Sequence, residues 1–267
     1  MIAVVSADAS KLWLPAPDQL RLEPSDVHVW RADVGSLADR WARYVPILNA
    51  EEMARAARFV RDVDRSRFIV TRALLRVILG RYLGKSADGI DFRYSARGKP
   101  SLADPSFELT FNISHSGNLA LFAIASARAL GVDVEQIRPN LDFLTIVDRF
   151  FSEYEVRQLH ARPVADQREA FFRGWVRKEA YIKARGEGLG IPLHSFDVTV
   201  FPDAPALLRA ADDQTRPARW TFRELAPGSG YAGMVVAEGP IERMVLYSIG
   251  TDPGGADAPP GSVPIES

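Results

Sequence analysis

The chain contains no cysteine among its 267 residues. That single count excludes a disulfide framework, a thiolate zinc site and a cysteine nucleophile, and it is compatible with a reducing, cytoplasmic setting. Long apolar runs are also lacking: nothing approaches the roughly 18 consecutive residues needed to span a bilayer, so no membrane partner is expected. The N-terminus, MIAVVSADASKLWLP, has neither a basic leader nor a sustained apolar core, and no secretory signal is expected there. Excess charge is absent as well. With 33 Lys+Arg against 34 Asp+Glu the formal charge is −1, which gives no reason to expect a nucleic-acid partner.

What is present is ample material for a buried core, at a length that suggests roughly two domains or one large one. SDVHVWRADV (Ser25 to Val34) alternates as a strand. Residues 49–84 read as helix, opened by the capping-box pair Asn49 and Glu52, with Gly80 and Gly84 as stopping points. IDFRYS, FELTFNISHSGNLALFAIAS and ALGVDVEQI then read as three strands with loops, the first two separated by the turn ARGKP. The second half repeats this order: helices over 141–159 and 165–186, with Ser152 and Glu155 as a second capping box, then strands at FDVTV, ARWTFREL, YAGMVVAEG and RMVLYS. A long helix followed by strands, twice over, predicts an α+β fold of two similar lobes in one chain. The expected divisions are a lead over 1–24, a first lobe over 25–130, a second over 131–248 and a tail over 249–267. The tail is rich in Pro and Gly and is expected to be disordered.

Four stretches could carry chemistry. In GVDVEQI, Asp133 and Glu135 stand two apart on a strand, so both carboxylates point to one side and Val132 and Val134 to the other. A dication would relieve their repulsion, and Mg²⁺ characteristically takes one or two carboxylates plus water and phosphate oxygens. In WVRKEAYIKARGEGL, Trp175, Glu179, Ile182 and Lys183 share a helical stripe with Lys178 beside it. Glu179 and Lys183 could be an ordinary surface ion pair, or a metal ligand beside a phosphate clamp; the helix alone admits both readings. In FNISHSGN, Ser114 and His115 lack the GxSxG elbow and a second histidine at metal spacing, which excludes an esterase dyad and a zinc site. A satisfied turn or a set of phosphate donors remains. The turn at Arg97, Gly98, Lys99 and Pro100 is basic but common.

Taken in order, GKP, FNISHS, GVDVE and WVRKEAYIKARGEGL resemble the larger, two-lobed 4′-phosphopantetheinyl transferases, in the branch with Trp and Lys-Glu-Ala, over about Val27 to Ala237. The resemblance implies two α+β lobes related by a pseudo-twofold axis, each with a small antiparallel sheet and a long helix, and coenzyme A bound between them. It implies transfer of the phosphopantetheine arm from coenzyme A to a serine of an apo carrier protein, releasing adenosine 3′,5′-bisphosphate. The partners are then acyl or peptidyl carrier domains of peptide, polyketide or fatty-acid synthases, and the expected state is a monomer. Asp133, Glu135 and Glu179 would hold Mg²⁺ or Mn²⁺, with Glu179 also the base, directly or through water. Lys183 would neutralise pyrophosphate charge. Asn112, Ser114, His115 and Asp133 would contact coenzyme A, Arg97 to Pro100 would line the adenine pocket, and Arg55 would meet the 3′-phosphate. Where some relatives carry a threonine on that phosphate this chain has Phe68, with Thr71 or Arg72 as candidate replacements. Two other readings share the motifs: a non-catalytic module that binds carrier protein or coenzyme A, and a Mg²⁺-dependent hydrolase of nucleotide pyrophosphates.

Overall fold

A computed structural model of the chain describes residues 13–210 and 217–250. The tail expected over 249–267 falls almost wholly outside these, as does half of the lead.

The elements run in chain order as β1 (Leu14–Pro15), β2 (Asp26–Asp33), α1 (Val34–Ala38), α2 (Ala50–Ala56), α3 (Asp62–Leu83), β3 (Phe92–Tyr94), β4 (Pro100–Leu102), β5 (Leu109–Ser116) and β6 (Leu119–Ser126). Then follow β7 (Leu130–Gln136), α4 (Phe143–Phe150), α5 (Glu153–His160), α6 (Val164–Arg185), β8 (Phe196–Val198), β9 (Leu207–Ala210), β10 (Trp220–Leu225), β11 (Tyr231–Glu238) and β12 (Arg243–Ile249). Each half is a strand, a set of helices ending in a 22-residue helix, a two-stranded ribbon and a hairpin that folds back on the first strand. Thus β2 pairs with β6 and β6 with β5, while β7 pairs with β11 and β11 with β10, all antiparallel.

The likeness of the halves extends to single residues. Each capping box closes as its sequence predicts: Glu52 N–H donates to Asn49 Oδ1 at 2.9 Å, and Glu155 N–H to Ser152 Oγ at 3.3 Å. Each capping glutamate then accepts a buried base from the long helix. Arg76 Nε reaches Glu52 Oε2 at 2.8 Å, and Lys178 Nζ reaches Glu155 Oε1 and Oε2 at 2.6 and 2.7 Å. Both long helices end on a left-handed glycine, Gly84 and Gly186, the conformation that costs a residue with a Cβ most.

This pairing also explains why residues 49–84 form two helices rather than the single one expected. Glu52 must face Arg76 and Arg72 across a hairpin, so the chain turns back between Ala56 and Asp62. Gly117, at φ +57, likewise breaks the expected strand FELTFNISHSGNLALFAIAS into β5 and β6. One strand changes sides. β12, which its order assigns to the second lobe, runs parallel to β2 in a five-stranded sheet of order β1-β12-β2-β6-β5.

Alternation on the strands builds three cores. Trp30, Phe122 and Ile124 pack beneath α3, and Phe172, Tyr181 and Met234 lie around α6. Val27, Val29, Leu121, Ala123, Val132, Val134 and Val235 fill the space between the two sheets. The halves therefore meet through an apolar sheet-on-sheet layer, and the opposite face of β7 is left to α6.

One buried polar group sits in the first core. His28 is 1% exposed; its Nδ1 lies 2.7 Å from Tyr82 Oη, and its Nε2 has no hydrogen-bond partner. Burial pushes the imidazole down from 6.5 to about 4, with Asp26 opposing. A depressed base binds its proton less readily folded than unfolded, so its contribution is complete above pH 6.5 and drains away as pH falls towards 4. Denaturant titrations should show wild type losing on the order of 3 kcal/mol more than His28→Gln across that window; parallel curves would refute the assignment.

Candidate active site

The site grows from β7. Asp133 and Glu135 point away from the inter-sheet core, as their spacing predicts, and towards α6. Helix and strand approach so closely that a Cβ on Gly131 would lie 2.0 Å from the carbonyl oxygen of Ala180. Only glycine permits that contact, which accounts for the residue that opens GVDVE. On α6, Trp175 stacks against Phe151 and lies tilted against Phe171, with its ring centroid 5.8 Å from that of Phe150. This aromatic cluster anchors the helix so that Glu179 and Lys183, one turn apart, face the acid pair.

Lys183 Nζ donates to Asp133 Oδ1 at 2.6 Å and to Ser114 Oγ at 3.0 Å. The remaining Asp133 oxygen, Oδ2, is buried without a hydrogen-bond partner. Burial raises Glu179 from 4.5 to about 7; Asp133 adds to the rise, Lys183 opposes it and Glu135 contributes last. Glu135 is raised too, chiefly by burial, with the Ser116 hydrogen bond opposing and Asp133 reinforcing. The three acids therefore share one electrostatic neighbourhood. Among the described residues no three carboxylate or imidazole side chains are gathered into a ready cage for a metal ion. A hard dication needs only one or two carboxylates when water and phosphate complete its shell, and a buried unpaired carboxylate oxygen beside two acids of raised pKa is a donor set that fits one.

Strand β5 lies alongside β7, but the two belong to different sheets. Side chains join them. Asn112 Oδ1 accepts from Val132 N–H at 2.9 Å, Ser114 Oγ from Val134 N–H at 3.3 Å, and Ser116 Oγ from Gln136 N–H at 3.1 Å. The serine hydroxyls donate onward, Ser114 to Asp133 Oδ1 at 2.8 Å and Ser116 to Glu135 Oε2 at 2.7 Å. Asn112 thus spends its side-chain oxygen on β7. His115 points to the other face of β5; crowding by surrounding protein lowers its pKa, and Lys183 and Arg67 lower it further.

The basic turn bridges the halves. Lys99 Nζ donates to the carbonyl of Lys183 at 2.6 Å, and burial depresses its pKa. A Cβ on Gly190 would stand 2.1 Å from Arg97 Nη1. Gly98, at φ +76, and Arg55 line one open cleft of about 510 Å³ with Arg58, Phe59 and Tyr94. Lys99 and Pro100 line a neighbouring one of about 410 Å³. Arg55 stacks 5.4 Å above the Phe68 ring.

Three expectations need correction. Lys178, which the helical stripe sets beside Glu179, does not share its surroundings: it is fully buried on Glu155 and the carbonyl of Phe196. Arg72 is buried between Glu52 and Tyr94 Oη, and Thr71 is buried beside it; neither faces the cleft to replace a threonine at Phe68. The sequence reading gave Ser116 no role, although Asn112, Ser114 and Ser116 form a polar period-two face that strand periodicity could have exposed.

Comparison with known proteins gives matches in both halves of the chain. Residues 129–236 match the 4′-phosphopantetheinyl transferase superfamily, and residues 35–127 match the N-terminal part of a 4′-phosphopantetheinyl transferase. The chain is 39% identical to 4′-phosphopantetheinyl transferase HetI of Nostoc sp., covering 85% of this chain and 94% of HetI. It is 36% identical to psf-1 of Bacillus pumilus, over 63% of this chain and 71% of that protein. With Sfp of Bacillus subtilis it shares 31% identity, over 70% of this chain and 81% of Sfp. A match that spans nearly the full length of such a relative and includes both halves places this chain in the 4′-phosphopantetheinyl transferase family.

Proposed function

We propose that the protein performs its family's reaction, moving the 4′-phosphopantetheine arm of coenzyme A to a serine of an apo carrier protein, at the seam between β7 and α6. The observation that carries this reading is the acid pair of β7 facing Glu179 and Lys183, with one Asp133 oxygen buried and unpaired. The chemistry asks for little else. The serine Oγ forms a bond to the phosphorus bearing the arm, the bond to adenosine 3′,5′-bisphosphate breaks, and the serine proton must be taken up. No protein nucleophile is needed; charge stabilisation and positioning suffice.

Glu179 receives that proton, because a carboxyl held near neutrality by burial is matched to the task. Lys183 exchanges Asp133 for pyrophosphate oxygens. His115, kept neutral, offers an N–H without adding charge, and Arg55 on the Phe68 ring meets the 3′-phosphate. Lys99 and Arg97 hold the basic turn against the end of α6, so the adenine cleft and the acid cluster keep a fixed separation. Asp133 and Glu135, with Glu179, would hold Mg²⁺ or Mn²⁺, which neutralises charge on the pyrophosphate. Both halves of the site come from one chain, which favours a monomer. The reaction belongs where coenzyme A and carrier domains of peptide, polyketide or fatty-acid synthases occur, the cytoplasm. No helix among the described residues is long and apolar enough to cross a membrane.

Incubation with coenzyme A, Mg²⁺ and a panel of apo carrier domains should add the mass of one phosphopantetheine arm to a carrier. Binding without transfer would mean a non-catalytic module, and release of phosphopantetheine without carrier would mean a pyrophosphate hydrolase. Either result overturns the proposal.

A further inference from the structure

The seam between β5 and β7 has an unusual construction. In an ordinary parallel pair, carbonyl oxygens of one strand accept N–H groups of the other. Here the acceptors are side chains of Asn112, Ser114 and Ser116, each meeting a β7 amide twenty residues further on. Two of the three repeat one unit: the N–H of the residue after an acid donates to a serine oxygen, and that serine's proton goes back to the acid. Val134, Ser114 and Asp133 form the first unit, and Gln136, Ser116 and Glu135 the second. A hydroxyl carries a single proton. Ser114 and Ser116 have each committed theirs to a carboxylate, and Ser114 Oγ also accepts from Lys183 Nζ. Neither retains a donor for a phosphate oxygen.

We infer that Ser116 is a positioning residue for the reaction, which with Ser114 clamps one oxygen of each β7 carboxylate and leaves the other oxygens free for a divalent cation. The inference rests on the proposed transferase reading. It reassigns the FNISHS strand: the serines aim the acids instead of touching substrate, and phosphate contacts fall to Lys183, His115 and Arg55. Ser116 is the better residue to test, because Ser114 also touches Lys183.

The test compares wild type with Ser116→Ala and Ser116→Thr in two assays: the Mg²⁺ dependence of transfer, and the rise in melting temperature on adding Mg²⁺ without coenzyme A or carrier. Loss of such an outer hydrogen bond typically weakens metal affinity by about 10- to 100-fold. Ser116→Ala should therefore need at least about tenfold more Mg²⁺ for half-maximal rate, with kcat at saturating Mg²⁺ close to wild type and a reduced Mg²⁺-induced melting shift. Ser116→Thr keeps the hydroxyl and should restore both. If Ser116→Ala does not fold, Ser116→Cys, a weak donor of similar size, should show an intermediate loss. A variant that merely melts earlier without Mg²⁺, while its Mg²⁺ dependence and Mg²⁺-induced shift match wild type, would overturn the inference and leave the transferase reading standing. A wild type with neither metal-dependent transfer nor a Mg²⁺ shift would overturn that reading itself.

Discussion

Glu179→Gln is expected to abolish most transfer while making the metal-free protein more stable at alkaline pH. The activity loss follows from the proposed role: removing a positioned base costs typically 10²- to 10⁴-fold. The stability gain follows from the environment. Glu179 titrates near 7 because burial and the neighbouring Asp133 disfavour its charged form, Lys183 relieving part of this. Its folded pKa lies above its unfolded value, so the folded state holds the proton more tightly and stability is lost as pH rises from about 4.5 to about 7. Glutamine carries no such penalty. At pH 8 without divalent cations the variant should exceed wild type by roughly 1–2 kcal/mol, a figure reduced for partial solvent screening. Adding Mg²⁺ should narrow the gap by stabilising wild type, with three carboxylates, more than the variant, with two. Equal stabilities at pH 8 and pH 5 would remove the electrostatic argument, and retained activity would remove Glu179 as base.

The second large effect lies outside the reacting atoms. Lys178→Ala should cost about 3–5 kcal/mol, the usual penalty for leaving one partner of a buried ion pair uncompensated. Glu155 would lose both of its short contacts with the Nζ group in a place where neither side chain is measurably exposed. It would keep its capping bond from the Ser152 N–H and its contact with the Val198 N–H. For that reason Glu155→Gln combined with Lys178→Met should recover part of the loss: the charge disappears, and the one amide oxygen can still accept from either Ser152 or Val198, which now use different Glu155 oxygens. Chemical denaturation reads both variants. A single substitution costing under about 1 kcal/mol would place the pair at a solvated surface instead. Activity is a poor guide here, because α6 carries Glu179 and Lys183 as well.

The two neighbours on α6 show how far one dimension reaches. Lys178 and Glu179 are adjacent in sequence, and a helical stripe places both near a core margin, yet one is locked into the scaffold and the other is open to chemistry. Periodicity fixes only the angle around the helix. What surrounds each side chain depends on α5, whose capping glutamate is supplied from 23 residues away. Capping boxes, the stop at Gly84 and the duplicated order of helix and strands were legible, because each depends on a few residues of local chain; Gly80, the other expected stop, lies buried inside α3. The strand β12 was not: its own alternation cannot say that its partner is β2, over two hundred residues earlier.

From residue types and spacing alone came the acid pair on one side of β7, the anchor at Trp175, the two-lobed α+β plan and the ordered motifs that resemble the transferases. Those are local properties, set by the 2.0 and 3.6 periods of strand and helix. The tertiary structure decided which oxygens are spent and which are free. It committed Asn112 to a β7 amide and the serine protons to Asp133 and Glu135, buried Lys178 and Arg72, and left Asp133 Oδ2 unpaired. A hydrogen bond between residues twenty or fifty apart exists only once both halves have packed, and no single stretch of the chain carries that information.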